Sequence, residues 1–180
     1  STEFYYSQIN KQVVKRTNGS CNAPMLIESL NFCDIGKANT EQEWNHVADV
    51  LIASAKRLEN AGAGAILIGA NSMHKVYGQV AEAVSVPVLH IADAVGEKMK
   101  AAGVQSAALL GTANVMAENW YRQRLVKHGV TLLPAEIDDV KDLDRIVYEE
   151  LMLGQVRRES ERTLKTIITE IDQEGIKAVV

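Results

Sequence analysis

Ala65-Ile66-Leu67-Ile68-Gly69-Ala70-Asn71-Ser72-Met73-His74-Lys75 is the stretch on which the fold turns. Four aliphatic residues make a run of the length expected for a buried strand, and Gly69 interrupts it. Asn71 and Ser72 then offer the polar side chains that favour a helix start. A strand that passes through a tight turn into a helix puts that turn at the carboxyl end of a sheet strand, where α/β proteins bind ligands and hold reactive groups. The residue at the tip is Ala70, whose methyl group brings no acid, base or nucleophile.

Upstream of this stretch, Thr40-Glu41-Gln42-Glu43 reads as a capping box, in which the Thr40 hydroxyl accepts the Glu43 amide and the Glu43 carboxylate reaches back. The helix it opens carries Trp44, Val47, Ala48, Leu51, Ala55 and Leu58 at helical spacing and stops at Asn60 to Gly62. Residues 2–17 predict a helix with Phe4, Ile9, Val13 and Val14 on its apolar side, and Pro24-Met25-Leu26-Ile27 begins a short strand ending near Phe32. Downstream, a helix runs to about Ala83, a strand covers 86–89, and a helix from about Ala92 to Ala102 closes on Gly103. A strand at 104–110, a helix to about His128, a strand at 130–133, two helices in 139–174 broken near Gly154, and a strand from Gly175 to Val180 complete the pattern. Strands separated by helical segments of this length predict an α/β fold with parallel sheets and crossover helices.

The composition of the 180 residues is that of a water-soluble globular protein, with 47% hydrophobic and 23% charged residues. A net charge of −4 without a basic cluster excludes a nucleic-acid surface. No apolar run approaches the ~18 residues of a membrane span, and no secretion signal is present, so no membrane partner is expected and the cytoplasm is the expected compartment. Cys21 and Cys33 lack metal-type spacing and are expected to stay reduced, with no metal bound.

An internal repeat organises the elements. Phe4-Tyr5-Tyr6-Ser7-Gln8-Ile9-Asn10 parallels Asn119-Trp120-Tyr121-Arg122-Gln123-Arg124-Leu125. Each segment is followed by a short strand, a long helical region and a glycine-led strand, Gly64-Ala65-Ile66-Leu67-Ile68 in one half and Gly175-Ile176-Lys177-Ala178-Val179 in the other. The expectation is two similar parallel-sheet α/β domains, 1–95 and 96–180, related by a pseudo-twofold that places the same loop twice across a cleft. Val104 to Gly111 leads the second half and has no counterpart ahead of Ser1, and Val180 falls midway through a strand whose partner continues into Gly69-Ala70. Both domains are therefore expected to be incomplete, the first lacking its first strand and the second cut before its own turn.

Ser1-Thr2 with Tyr5-Tyr6 and Ile9-Asn10, then Asn71-Ser72-Met73-His74-Lys75, His90-Ile91-Ala92-Asp93-Ala94, Leu109-Leu110-Gly111-Thr112 and Ile146-Val147-Tyr148-Glu149-Glu150-Leu151 together resemble the aspartate/glutamate racemase family. The resemblance spans essentially the whole chain. It implies two α/β domains, no pyridoxal phosphate or metal, an amino-acid or other small carboxylate ligand, and a homodimer. Inverting an α-carbon needs two opposed acid/base groups, and cysteine thiols near helix N-termini suit that task. In the family one thiol immediately precedes the Asn-Thr/Ser pair, and the other lies in a Gly-Cys-Thr-Glu turn after the last strand. By that matching Ala70 occupies the first thiol position and the second falls just beyond Val180. Asn71, Ser72 and Thr112 match substrate contacts, Val115 stands where many members have threonine, and no arginine matches the usual carboxylate clamp, the corresponding strand end reading Asn31-Phe32-Cys33-Asp34.

Each of these residues also has a plainer reading. Asn71 and Ser72 can be N-caps, His74 a capping or packing residue, Lys75 a solvated helix lysine, and Cys33 a small hydrophobe. Tyr5, Tyr6, Trp120 and Tyr121 read as core or interdomain packing, and Glu149 and Glu150 as an exposed helix face. The resemblance implies a racemase scaffold that is inactive as written. The alternatives are a non-catalytic small-carboxylate-binding module or pseudoenzyme subunit, and a one-thiol relative such as a decarboxylase.

Overall fold

In a computed structural model, which describes residues 2–36, 38–133, 137–176 and 178–180 with side chains at all but 137–139, the chain divides into two compact units, Ser1–His90 and Ile91–Val180. The sequence-based expectations for Ser1 and Lys177 lie outside the described residues.

The first unit is built around α3 (Glu41–Asn60), which follows α1 (Thr2–Arg16) and the short α2 (Phe32–Ile35). The capping box forms as expected: Thr40 Oγ1 accepts the Glu43 amide at 3.2 Å, while Glu43 Oε2 accepts the amides of Thr40 at 2.8 Å and Asn39 at 2.7 Å. Those donors, the Asn39 amide foremost, hold the Glu43 carboxyl below its ordinary range. Once started, α3 turns Trp44, Val47, Ala48, Leu51 and Ala55 inward. Burying a side chain the size of valine or leucine contributes ~1.5–3 kcal/mol, so this face fixes the helix on the sheet.

That sheet pairs β1 (Ile66–Leu67) with β2 (Val88–Leu89) in parallel, Ile66 opposite Val88 and Leu67 opposite Leu89. A 3-10 turn at Ser72–Val76 and α4 (Tyr77–Glu82) make the crossover, where the sequence had suggested one continuous helix. Ile66, Ile68 and Val88 join Trp44, Val47, Met73 and Val80 in the core, whereas Leu67 and Leu89 face outward.

Two expectations for this unit fail. Residues 21–31 take no regular structure, so the strand at 24–32 is absent: Leu26 and Ile27 are exposed and pair with no strand among the described residues, and Asn31 instead caps α2 by accepting the Cys33 amide at 3.2 Å. Helix α1 does form, but none of its residues is buried, and Phe4 and Tyr6 are exposed rather than packed.

The second unit runs α5 (Ile91–Ala101), β3 (Ser106–Ala107), α6 (Ala113–Met116), α7 (Asn119–Lys127), β4 (Thr131–Leu132), α8 (Ile137–Glu149), a 3-10 turn at Leu151–Leu153, and α9 (Arg158–Gln173). β3 pairs in parallel with β4, Ser106 opposite Thr131. On its other side the stretch continuing from β3 meets residues 178–180: Ala108 donates to Ala178 at 3.0 Å, Val180 to Ala108 at 2.9 Å and Leu110 to Val180 at 2.9 Å. The final segment is thus a single parallel bridge rather than a full strand.

Tyr121 and Leu125 of α7 pack with Ala107, Leu109, Val115 and Val130. The expected helix to His128 is divided into α6 and α7 at Ala117–Glu118, and the expected break near Gly154 is present, with Gly154 in the left-handed region at φ +71°.

Glu150 is a further correction. Its backbone leaves the helix after Glu149, and its side chain turns inward to 1% exposure rather than lying on an open face. Ser160 of α9 donates to Glu150 Oε1 at 2.8 Å and Oε2 at 2.7 Å, and Arg145 Nη1 donates to Oε1 at 2.9 Å. The Ser160 hydroxyl first, then Arg145 and Arg157, keep this carboxyl below its ordinary value against the opposing effect of burial.

Candidate active-site turns

In the first unit the turn leaves the carboxyl end of β1 at Gly69. A Cβ at Gly69 would lie 3.1 Å from Thr2 Oγ1, closer than most such contacts, so glycine here lets the start of α1 approach the turn. Ala70 and Asn71 are exposed, and Ser72 is half-buried. Asn71 has helical backbone angles, φ −64° and ψ −51°, and its side chain makes no capping hydrogen bond. Its carboxamide is therefore not committed to starting the helix, against the plain N-cap reading.

His74 points the other way. It is 2% exposed, and its Nδ1 lies 3.1 Å from the carbonyl oxygens of both Ala70 and Asn71. Carbonyls only accept, so Nδ1 carries the proton and donates to both. The packing reading of His74 holds, in a specific form: the ring fastens the turn from inside. His90, 5% exposed at the end of β2, packs against it with ring centroids 4.6 Å apart and planes inclined at 55°, and Tyr77 meets His90 edge-on at 4.8 Å. Lys75 is half-buried, its ammonium 4.6 Å over the Trp44 ring, so it is not simply a solvated lysine.

Cys33 and Cys21 are exposed, Cys33 on α2 and Cys21 in irregular chain, and neither belongs to the turn. Arg57 donates through Nε to Glu28 Oε1 at 3.0 Å and through Nη2 to the same oxygen, so this arginine is already engaged. A cavity of about 360 Å³ lies against the start of α3, lined by Asp34, Gln42, Glu43 and His46 among others. None of its lining residues comes from the 69–75 turn.

In the second unit the turn that the resemblance singles out is Leu109-Leu110-Gly111-Thr112, at the carboxyl end of the stretch through β3. Thr112 stands at the N-cap position of α6 with extended angles, φ −72° and ψ 160°, yet makes no capping bond. Its hydroxyl is buried and has no hydrogen-bond partner among the described residues. Leaving a hydroxyl in that state costs ~1–3 kcal/mol by comparison with protein variants, so it needs an explanation. The next amide, Ala113, donates to Asp144 Oδ1 of α8 at 3.0 Å. Val115 is buried in the core, where a threonine would have to find a partner for its hydroxyl.

The sequence reading quoted His90 within a motif of the resemblance but gave it no role, and it missed Asp144. The apolar-flanked Leu89-His90-Ile91 gave a signal for the first; nothing local marked the second, whose partner is 31 positions away. Among the described residues no cluster of three His, Cys, Asp or Glu side chains is placed to hold a metal, and no helix is long and apolar enough to cross a membrane.

A family profile described as Asp/Glu/hydantoin racemase matches residues 1–180. Among solved structures, a Yersinia pestis protein attributed to the Asp/Glu racemases superposes with a TM-score of 0.89 at 33% identity, covering 99% of this chain and 78% of that one. An aspartate racemase homologue from Pyrococcus horikoshii OT3 follows with a TM-score of 0.77 at 30% identity, covering 98% of this chain and 77% of its own. The aspartate racemase of Picrophilus torridus, at 17% identity and a TM-score of 0.55 over 70% of this chain and 52% of that one, shares the fold. With a profile match over its full length and two solved relatives at 30% identity or more, the chain belongs to the Asp/Glu/hydantoin racemase family.

Proposed function

We propose that this chain is a cofactor-independent amino-acid racemase scaffold of the aspartate/glutamate type, with Ala70 at the position of the first acid/base thiol. The observation that carries the reading is the turn itself. Ala70 is exposed at the carboxyl end of β1, directly before an Asn71 carboxamide that the helix start does not use. A methyl group cannot take or return an α-proton, so the turn keeps its binding groups and lacks its chemistry. Asn71 and Ser72 are the ligand-contacting residues of the first unit and Thr112 that of the second, its buried hydroxyl without a partner among the described residues supporting a missing acceptor or donor. That orphan hydroxyl equally favours the second reading, a module that binds a small carboxylate and performs no reaction. The two halves, with a boundary near residues 90–95, descend on this reading from one duplicated α/β unit related by a pseudo-twofold. The likeness of Phe4-Tyr5-Tyr6 to Asn119-Trp120-Tyr121, each ahead of a long helical region and a glycine-led strand segment, supports that origin. The same reading makes the protein a homodimer, for which the exposed Phe4, Leu67 and Leu89 offer apolar surface.

The test combines two measurements on the 180-residue protein. In heavy water with aspartate or glutamate, deuterium incorporation at the α-carbon stays at the level of a protein-free control. In a titration with the same amino acids, the NMR resonances of Asn71, Ser72 and Thr112 shift. Exchange well above the control overturns the loss of racemase chemistry, and the absence of any shift overturns the ligand assignment.

A further inference from the structure

Beneath the Ala70 turn three aromatic rings, His74, His90 and Tyr77, pack in series beside the apolar core that buries Met73 and Val76. In the backbone of this turn the His74 amide donates to the Asn71 carbonyl at 3.1 Å, which starts a 3-10 helix of intrinsically poor hydrogen-bond geometry. The His74 side chain adds a second bond to the same carbonyl and a bond to Ala70, one residue nearer the strand, each at 3.1 Å. The imidazole is held in turn from the neighbouring strand: His90 follows β2 and packs against it at a tilt, and Tyr77 packs on His90 while its hydroxyl donates to the Val88 carbonyl at 3.0 Å. Packing so close fixes the ring plane, because a buried side chain in contact on several sides has few rotamers open to it.

We propose that His74 is the positioning residue of this turn: its Nδ1–H, in one tautomer and one ring plane, sets the peptide planes after residues 70 and 71. Those planes decide where the Cβ of residue 70 and the carboxamide of Asn71 point. The proposal rests on the reading of this turn as the ligand site and adds to it a cause for the turn's shape. His90 acts through His74, as the ring that holds it.

The full chain and two substitutions test this. His74→Asn places a carboxamide N–H about where Nδ1–H stood, whereas His74→Gln carries its donor out to the Nε2 position and cannot reach both carbonyls. In the unsubstituted protein, nitrogen–proton correlation spectra of the ring show the Nδ1–H tautomer for His74. His74→Asn leaves the backbone amide resonances of Asn71 and Ser72 close to their original positions. His74→Gln moves them and weakens the response of the Asn71 carboxamide to added L-aspartate by tenfold or more, with melting within a few degrees of the parent. An Nε2–H tautomer in the unsubstituted protein overturns the proposal, even where neither variant folds. So does a glutamine variant that matches the parent in both readouts. If L-aspartate perturbs no resonance in any of the three proteins, the ligand assignment of the turn falls, while the tautomer and the turn amides still decide the role of His74.

Discussion

Gly96 sits in α5 where that helix passes α7, and replacing it by alanine sets two opposing effects against each other. A Cβ built there lies 2.5 Å from both Cγ and Cδ2 of the His128 ring and 2.8 Å from the His128 Cβ. The last of these is the root of the side chain, so no rotamer change relieves it and the end of α7 must shift. That shift strains the Asp93 cluster, in which His128 Nε2 donates to Oδ1 at 3.2 Å and Arg124 Nη1 to Oδ2 at 2.5 Å. Alanine favours a helix interior over glycine by about 1 kcal/mol. Overpacking a filled site costs about 1–3 kcal/mol, and loosening a part-exposed ion pair adds about 0.2–1 kcal/mol. Sterics win: Gly96→Ala destabilises by about 1–2 kcal/mol, which for a chain of this size lowers melting by roughly 3–6 °C. Urea titration followed by circular dichroism, with thermal melting alongside, measures it. On a His128→Gly background, which removes the Cβ as well as the ring, the same Gly96→Ala change is neutral or stabilising, because only the helix preference is left. A Gly96→Ala protein that melts at or above the parent temperature refutes the argument.

Two further outcomes follow from the polar groups. Thr112→Val keeps the β-branched shape and removes the unpartnered buried hydroxyl, so it raises stability by about 1 kcal/mol in urea titration while abolishing the ligand-induced shifts of that turn. A loss of stability shows that the hydroxyl has a partner. Glu150 titrates below its ordinary value of 4.5 in the folded protein, so its stabilising contribution is complete above that value and is lost as pH falls through the lowered one. Glu150→Gln therefore lowers the urea midpoint near neutral pH and reduces the fall in midpoint on acidification. An unchanged acid limb means that the carboxyl is not held by Ser160 and Arg145.

What the sequence made legible was what local chemistry decides. The Thr40–Glu43 box is four adjacent residues whose hydrogen bonds close on themselves, and it forms as read. The alternation of strand and helix came through because each crossover carries its own periodicity, and both pairs of strands are parallel. The Ala70 turn was placed correctly between β1 and its helix, since Gly69 and Asn71 mark it locally. The misses are set by distant partners. Pro24-Met25-Leu26-Ile27 has the apolar content of a strand, but a strand exists only beside another, and none among the described residues pairs with it. Glu150 looked like surface because its satisfaction comes from Ser160, ten positions on and on another helix. The inward role of His74 depends on a ring contributed by β2, which no window around residue 74 reveals.

The three parallel rows of the second unit have unequal reach along the chain, and this sets an order of assembly. Ser106 finds Thr131 across 25 residues, whereas Ala108 must find Val179 across 71. Closing the longer loop costs about 1 kcal/mol more in chain entropy, and contacts of large sequence separation form late. The β3–β4 pair with α6 and α7 is thus the natural early nucleus, and the row at 178–180 docks onto a sheet already made. Leu110, which hands the chain on to Gly111 and Thr112, gains its backbone partner only in that last step. The strand side of the turn bearing the orphan hydroxyl is for that reason fixed late, while its helix side is already held by the Ala113–Asp144 bond.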